Sequence, residues 1–384
     1  MKTRIDWVRE NCLLLKAIGE EFGATQPFAG RTIGTGIHLE PKTVALLMTL
    51  QKGGARVVST GNLNTTQPLA VSRLRDEDVT VIGGPTIDLA EHKRNLQAVL
   101  DHDPDLLLDN GGDLFDLWRQ RRRAGLLGGT EETTSGRMRL APLRADLAMP
   151  ILVINDSPIK QFAENEHAVG QSVLESYIRI TNRMTNGQRV TVFGYGACGR
   201  GVAANFRAAN AKVSVVDRDP LKRLQAHLDG FDTPTRDRAV ASADVIVTIT
   251  GGRDVVGPAD IPLFKDGAIL ANAGHFPVEI QVEAIAGSQD VTKRESFADD
   301  IEELTLADNR VIRILAGGHM VNLAGPRPMG NSIESMDLGF ALQARCLEAV
   351  ALGRVGAADC LVPVPRAIDE QVAEAYLMLR YPWA

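Results

Sequence analysis

An apolar stretch, Arg189–Phe193, runs directly into Gly194-Tyr195-Gly196-Ala197-Cys198-Gly199, and helical spacing of apolar residues follows as far as Ala209. Strand, glycine turn and helix in that order admit few folds. Gly194 permits the tight turn, Gly196 lets the backbone approach a pyrophosphate, and Gly199 lets the helix pack closely on the strand. The helix N-terminus at Ala197 and Cys198 offers main-chain N–H groups and the positive end of the helix dipole to phosphate. Asp217 follows 21 residues after Gly196, at the end of the next apolar stretch, Lys212–Val216. A carboxylate there accepts hydrogen bonds from the adenosine ribose hydroxyls and repels a 2′-phosphate. The motif predicts a Rossmann domain that binds NAD rather than NADP; Arg218, beside the acid, is the feature that points the other way.

The rest of the chain keeps alternating between short apolar runs and helical stretches. Strands are expected at 55–59, 79–83, 105–108, 151–154, 245–248 and 268–271. Helices are expected at 5–22, 43–51, 88–100, 221–228 and 332–352, with another from Pro158 to about Met184. Gly111-Gly112 and Gly128-Gly129 read as loops. Such alternation places the chain in the α/β class, with a doubly wound parallel sheet. A chain of 384 residues exceeds one ordinary core. Because the Rossmann pattern occupies the middle, two domains are expected. One is a split α/β substrate domain, 1–172 with 330–384; the other is the inserted NAD-binding domain, 173–329, with hinges near 156–174 and 323–332.

Composition narrows the classes. A hydrophobic fraction of 44% and a charged fraction of 23% suit a globular protein. A formal charge of -6 without a long basic block argues against nucleic acid or an anionic membrane as partner. The one basic run, Arg119 to Arg123, reads as a solvated helix face. Cys12, Cys198, Cys346 and Cys360 are too widely spaced for a CxxC pair, so neither a disulfide framework nor a metal site is expected. Asp6, Glu10 and Glu20 interrupt the N-terminal apolar residues, which excludes a signal peptide, and no apolar run is long enough to span a bilayer. A cytoplasmic setting is expected.

Further segments stand in order along the chain: His38-Leu39-Glu40, Asp109-Asn110-Gly111-Gly112-Asp113, and Glu131-Glu132-Thr133-Thr134-Ser135-Gly136. After them come Asn155-Asp156-Ser157 with Lys160, Asn272-Ala273-Gly274-His275-Phe276, and Val321-Asn322-Leu323. With the glycine turn they make roughly residues 30–350 resemble the S-adenosyl-L-homocysteine hydrolase family. That resemblance implies an enzyme that oxidises the 3′-hydroxyl of a nucleoside with bound NAD⁺. The 3′-ketone acidifies the C4′ proton, its loss expels the 5′ substituent, water adds, and C3′ is reduced again. The cofactor is regenerated in each turnover.

The resemblance also implies roles. Lys160 is the general base beside the 3′-hydroxyl, and Glu132 holds the ribose hydroxyls and helps to place the lysine. Thr133, Thr134 and Ser135 reach the cofactor from the substrate domain; read alone, they are a helix cap followed by a turn. Glu164 and Asn165 lie near the nicotinamide and the substrate. Thr250, Gly251, Asn272, Gly274, His275 and Asn322 line the cofactor site. His38 serves acid–base chemistry at C5′, and Asn62 belongs with the substrate contacts.

Departures from the family pattern cluster away from this 3′-redox set. Asn110 replaces the acid that partners His38, and an amide cannot exchange a proton at ordinary pH. Glu40 and Lys42 stand where the family meets adenine. Asn331 replaces a histidine that helps to gate the substrate channel, Val169 replaces a cysteine, and the loop 324–328 is longer by two residues. Lys42, Arg137 and Arg327 together suit an anionic group. The chain ends at Tyr381-Pro382-Trp383-Ala384, without the family's lysine- and tyrosine-bearing tail. The expected function is reversible, NAD-dependent 3′-oxidation of a nucleoside or nucleotide other than S-adenosylhomocysteine, in a homo-oligomer, dimer or tetramer. The alternatives are genuine hydrolysis of S-adenosylhomocysteine, an ordinary dehydrogenase, and an NAD-binding pseudoenzyme with a protein partner.

Overall fold

The computed structural model describes residues 2–121, 125–297, 300–381 and 383. Arg122 and Arg123 of the basic run, and Pro382 and Ala384 of the C-terminal segment, lie outside the described residues. The chain forms two compact units, Met1–Gln161 with Ile333–Ala384, and Phe162–Ser332.

Strands β1 (Thr32–Ile37), β2 (Arg56–Gly61), β3 (Thr80–Ile82), β4 (Leu106–Asp109), β5 (Gly128–Glu131) and β6 (Ile151–Val153) open the chain. The middle holds β7 (Arg189–Phe193), β8 (Lys212–Val216), β9 (Val245–Thr248), β10 (Ala268–Asn272), β11 (Val291–Phe297), β12 (Ile301–Leu306) and β13 (Val311–Leu315). Strand β14 (Cys360–Pro363) follows the long helix Ile333–Ala351. In the first unit the order is β14-β6-β5-β4-β1-β2-β3, and every pairing is parallel. Such a sheet is covered on both faces, which explains the unbroken apolar runs Leu106-Leu107-Leu108 and Ile151-Leu152-Val153.

Three strands of that sheet, β1, β5 and β14, were not expected; the sequences of the first two, Thr-Ile-Gly-Thr-Gly-Ile and Gly-Gly-Thr-Glu, carry no apolar run. Packing explains them. A Cβ on Gly129 would sit 1.8 Å from the Leu107 carbonyl oxygen, so this strand is glycine where its neighbour's backbone presses in. The helical stretch at the N-terminus is also two helices, Arg4–Asn11 and Leu13–Thr25, separated at Cys12. Thr3 caps the first in a capping box with Asp6. The C-terminal helix Arg366–Arg380 closes the first unit.

In the second unit the order is β11-β12-β13-β10-β9-β7-β8. Strands β8, β7, β9, β10 and β13 are parallel, as expected for a doubly wound sheet. Strands β11 and β12 add an antiparallel edge, which makes the sheet mixed. Val190, Val192, Val215, Val245 and Val247 pack on one face, while Phe193, Ile246, Leu270, Ile312 and Ile314 pack on the other. The helical stretch into Met184 divides into a π-helix, Lys160–Ala168, and an α-helix, Val169–Thr181. A Cβ on Gly170 would lie 2.4 Å from Gly201 of the helix Ala197–Ala208, so these two helices cross closely. Both helices belong to the second unit, Phe162–Ser332.

Candidate active site

Parallel strands bring their carboxyl ends to one edge of the sheet, where open α/β folds place their ligands. His38 follows β1, Asn62 follows β2, Asn110 follows β4 and Glu132 follows β5, each as the residue directly after its strand. The Lys160 ammonium donates to Glu132 Oε1 at 2.9 Å, with the two side chains only 5% and 7% exposed. Asn110 Nδ2 donates to Glu132 Oε2 at 3.0 Å, and Asn62 Nδ2 donates to Asn110 Oδ1 at 3.2 Å. The amide that replaces an acid is therefore held at both ends, its donor toward the carboxylate. Burial pushes the Glu132 carboxyl up, but the Lys160 ammonium, hydrogen bonds from Lys160 and Asn110, and nearby His38 outweigh it and hold it below the ordinary range.

His38 Nδ1 lies 2.6 Å from Thr65 Oγ1, a residue that sequence reasoning missed. Lys42 pairs with Glu40 at 2.8 Å, with both side chains buried. Arg137 pairs with Asp156 at 3.5 Å. Two of the three cations expected to meet an anion are thus already neutralised by carboxylates of the chain. Thr133 caps the helix Thr134–Leu140, its hydroxyl accepting from Gly136 N and from Ser135 Oγ, while Thr134 Oγ1 accepts from Asn155 Nδ2 at 2.6 Å. Ser157 donates to Asp369 of the C-terminal helix at 2.5 Å and accepts from Lys160 N, so that returning helix anchors the turn before the lysine.

The second unit contains a cleft of about 460 Å³ whose lining includes Gly194, Gly196, Asp217, Arg218 and Thr250. Gly194 has φ 104°, and a Cβ on it would meet the Ile249 carbonyl oxygen at 2.5 Å. On Gly199 a Cβ would lie 2.0 Å from the Gly194 carbonyl oxygen, whereas on Gly196 it would meet nothing within 4 Å. The open backbone at Gly196 is the approach that a pyrophosphate needs, at the start of the helix Ala197–Ala208. Asp217 accepts from Tyr195 N at 2.7 Å and Asp219 N at 2.9 Å, which fixes its carboxylate beside the turn. These residues fit a dinucleotide.

Around that cleft, Ala197 and Cys198 stand half-buried at the helix start. Thr250 and Gly251 form an exposed turn held by Glu279, which accepts from both main-chain N–H groups and from the Thr250 hydroxyl. Asn272 is fully buried; it accepts from Gly274 N and Thr248 Oγ1 and donates to the carbonyls of Gly274, Phe276 and Gly318, and so shapes the loop that carries Gly274 and His275. His275 is half-buried, edge-on to Phe276. Asn322 donates to Ser172 Oγ, Ser172 donates to Asn331 Oδ1, and Asn331 Nδ2 reaches Glu164 at 3.3 Å. Ser172, the middle of that chain, was not singled out from sequence. Asn165 is half-buried on the π-helix.

A Rossmann cleft in one unit, and a buried lysine–glutamate pair at the strand ends of a second α/β unit, define an NAD-binding two-domain enzyme. Comparison with known proteins gives the family. Residues 2–125 match the family model described as S-adenosyl-L-homocysteine hydrolase, and residues 165–327 match its NAD binding domain. An S-inosyl-L-homocysteine hydrolase of Methanothermobacter thermautotrophicus is 40% identical over 89% of this chain and 83% of its own length. An adenosylhomocysteinase of Thermotoga maritima is 38% identical over 97% of this chain and 93% of its own. The chain belongs to the S-adenosyl-L-homocysteine hydrolase family, and its cofactor is NAD. Relatives of both names lend no support to the expectation that the substrate departs from S-adenosylhomocysteine. Among the described residues no helix is long and apolar enough to cross a membrane.

Proposed function

We propose that the chain hydrolyses the thioether of an S-nucleosyl-L-homocysteine to a nucleoside and homocysteine by reversible oxidation at ribose C3′. The observation that carries this reading is the buried Lys160–Glu132–Asn110–Asn62 network at the strand ends. Bound NAD⁺ supplies the oxidant for C3′. Once its ammonium has released a proton to solvent, Lys160 takes the proton of the 3′-hydroxyl as a neutral amine, and Glu132 holds the ribose hydroxyls while keeping the lysine aimed at them. The ketone acidifies C4′–H; its proton leaves, the C4′–C5′ double bond forms and the C5′–S bond breaks, with sulfur carrying away the electron pair. Water then adds at C5′, C4′ regains a proton and C3′ is reduced again. Asn110 can neither give nor take a proton, so proton exchange at the 5′ end falls to His38, oriented by Thr65.

The Glu40–Lys42 pair is read as the contact for the base: its carboxylate accepts an N–H and its ammonium donates to a ring nitrogen or a 6-oxygen. Both 6-amino and 6-oxo purines present one such donor and one acceptor. The test is to mix NAD-loaded protein with S-adenosyl- and S-inosyl-L-homocysteine and follow thiol release and absorbance at 340 nm. Thiol release with transient absorbance is expected from at least one of them. Absence of both signals with both compounds overturns the reading.

A further inference from the structure

Asp109 and Glu131 are the last residues of β4 and β5, each one position before a group that the proposed reaction uses, and the sheet pairs them directly. Both are fully buried. Their partners are main-chain N–H groups and one hydroxyl. Asp109 accepts from Asn110 N at 2.9 Å and Phe115 N at 3.0 Å. Glu131 accepts from Gly111 N at 3.1 Å, Gly112 N at 3.0 Å, and both Thr133 N and Thr133 Oγ1 at 2.7 Å. Gly111 and Gly112 take φ of 101° and 75°, the left-handed region, and so aim consecutive N–H groups at one carboxylate. Successive N–H groups arranged in this way form a nest that ordinarily receives an external anion. Here the chain fills its own nest. A Cβ on Gly136 would come within 2.2 Å of Glu131 Oε1, so the fit is closed from the helix side as well.

We propose that Glu131, supported by Asp109, is the positioning residue of this centre. Seated in the glycine nest, it ties the loop bearing Asn110 to the segment bearing Glu132 and thereby sets where Lys160 meets the ribose. The proposal rests on the reaction assigned above. Burying two adjacent carboxylates is costly: burial, with repulsion from Asp113, pushes Asp109 up to about 7, and burial, with repulsion from Asp109, pushes Glu131 well above the ordinary range. The main-chain N–H groups of Asn110, Gly111, Gly112, Phe115 and Thr133 offset that cost by donating to the two carboxyl groups. What the carboxylate adds is direction, because one group reaches two successive loop positions, Gly111 and Gly112, and Thr133 of the next segment at fixed distances.

Glu131→Gln tests this, since its amide nitrogen cannot accept the N–H bonds that one carboxylate oxygen now takes. In single-turnover experiments with the NAD-loaded chain, cofactor reduction by an S-nucleosyl-L-homocysteine is expected to slow roughly 100-fold, the usual cost of misplacing a reacting group by about 1 Å. NAD⁺ affinity and substrate affinity should stay within about threefold. A folded E131Q with wild-type reduction rate overturns the proposal. If E131Q fails to fold, Gly136→Ala displaces the same side chain while keeping both of its carboxyl oxygens. A similar slowing is expected, and an unchanged rate again overturns the idea. If the wild-type chain reduces its cofactor with no S-nucleosyl-homocysteine, the reaction assignment has failed instead. The side-chain amide resonance of Asn110 by ¹⁵N NMR then decides: displacement in E131Q supports the positioning role, and an unmoved resonance overturns it.

Discussion

The two units use opposite means to build a site. In the second, the cofactor cleft is made of backbone: glycines at Gly194, Gly196 and Gly199, a helix start, and one carboxylate fixed by main-chain N–H groups. The first unit's centre is made of side chains from separate strand ends, joined through a buried ion pair and two amides. Backbone sites tolerate side-chain change except where a Cβ has no room. Side-chain sites fail when any one member loses its partner, because a buried polar group without one costs about 1–3 kcal/mol.

Replacing Lys160 by Ala should break the first site most severely. Cofactor reduction, followed at 340 nm, is expected to fall about 10³-fold, within the range for general acid–base catalysis, with NAD⁺ still bound. Retained reduction in Lys160→Ala would remove the lysine from the mechanism. The glycine turn offers the matching test in the second unit. Gly199→Ala places a methyl against the Gly194 carbonyl oxygen and should weaken NAD⁺ binding by roughly 100-fold, whereas Gly196→Ala, entering open space in the empty cleft, should cost only about tenfold through contact with the pyrophosphate. Equal losses in calorimetry would contradict the division of labour between the two glycines. Asp217→Asn is expected to weaken NAD⁺ about tenfold while narrowing the gap to NADP⁺, since an amide no longer repels a 2′-phosphate. An unchanged preference in competition binding would show that the carboxylate does not read the ribose.

A further prediction concerns stability. Asp337 accepts from Leu14 N at 2.8 Å and Leu15 N at 2.9 Å, and burial pushes its carboxyl from 3.8 up to about 6. Its folded form holds a proton that the unfolded form has released between those values. Its contribution is therefore present below pH 3.8 and lost as pH rises through about 6, by up to about 3 kcal/mol. Denaturant unfolding across pH 4–7 should show a shallower decline in Asp337→Asn. An identical slope would mean that the proton is not taken up on folding.

Much of the fold was legible because hydrophobic period is local. Strands β7, β8 and β9 fall where the apolar runs place them, and helix ends such as Asp88 at the start of Leu89–Leu100 are marked by the capping residue. Strands β1 and β5 escaped because glycine and threonine carry no apolar signal, and their strand state comes from neighbours that leave no room for a side chain. The antiparallel edge formed by β11 and β12 escaped for a related reason: the exposed residues of β11 show no buried face. Within the centre, Lys160 and Glu132 could be singled out from motifs, but Thr65 and Ser172 could not, since a lone hydroxyl carries no signature until its partner is near.

What the sequence alone determined is the cofactor turn: glycine spacing, the strand before it, the helix after it and the acid on the next strand lie within one short stretch of chain. Tertiary structure decided the rest of the chemistry. Residues 38, 62, 110 and 132 converge only because parallel strands β1, β2, β4 and β5 lie in adjacent register and release their next residue at one edge, where Lys160, at the start of the helix after β6, joins them. It also decided that Asn110 faces a carboxylate with its amide nitrogen, an orientation that hydrogen-bond satisfaction in a buried network selects and that no local pattern encodes.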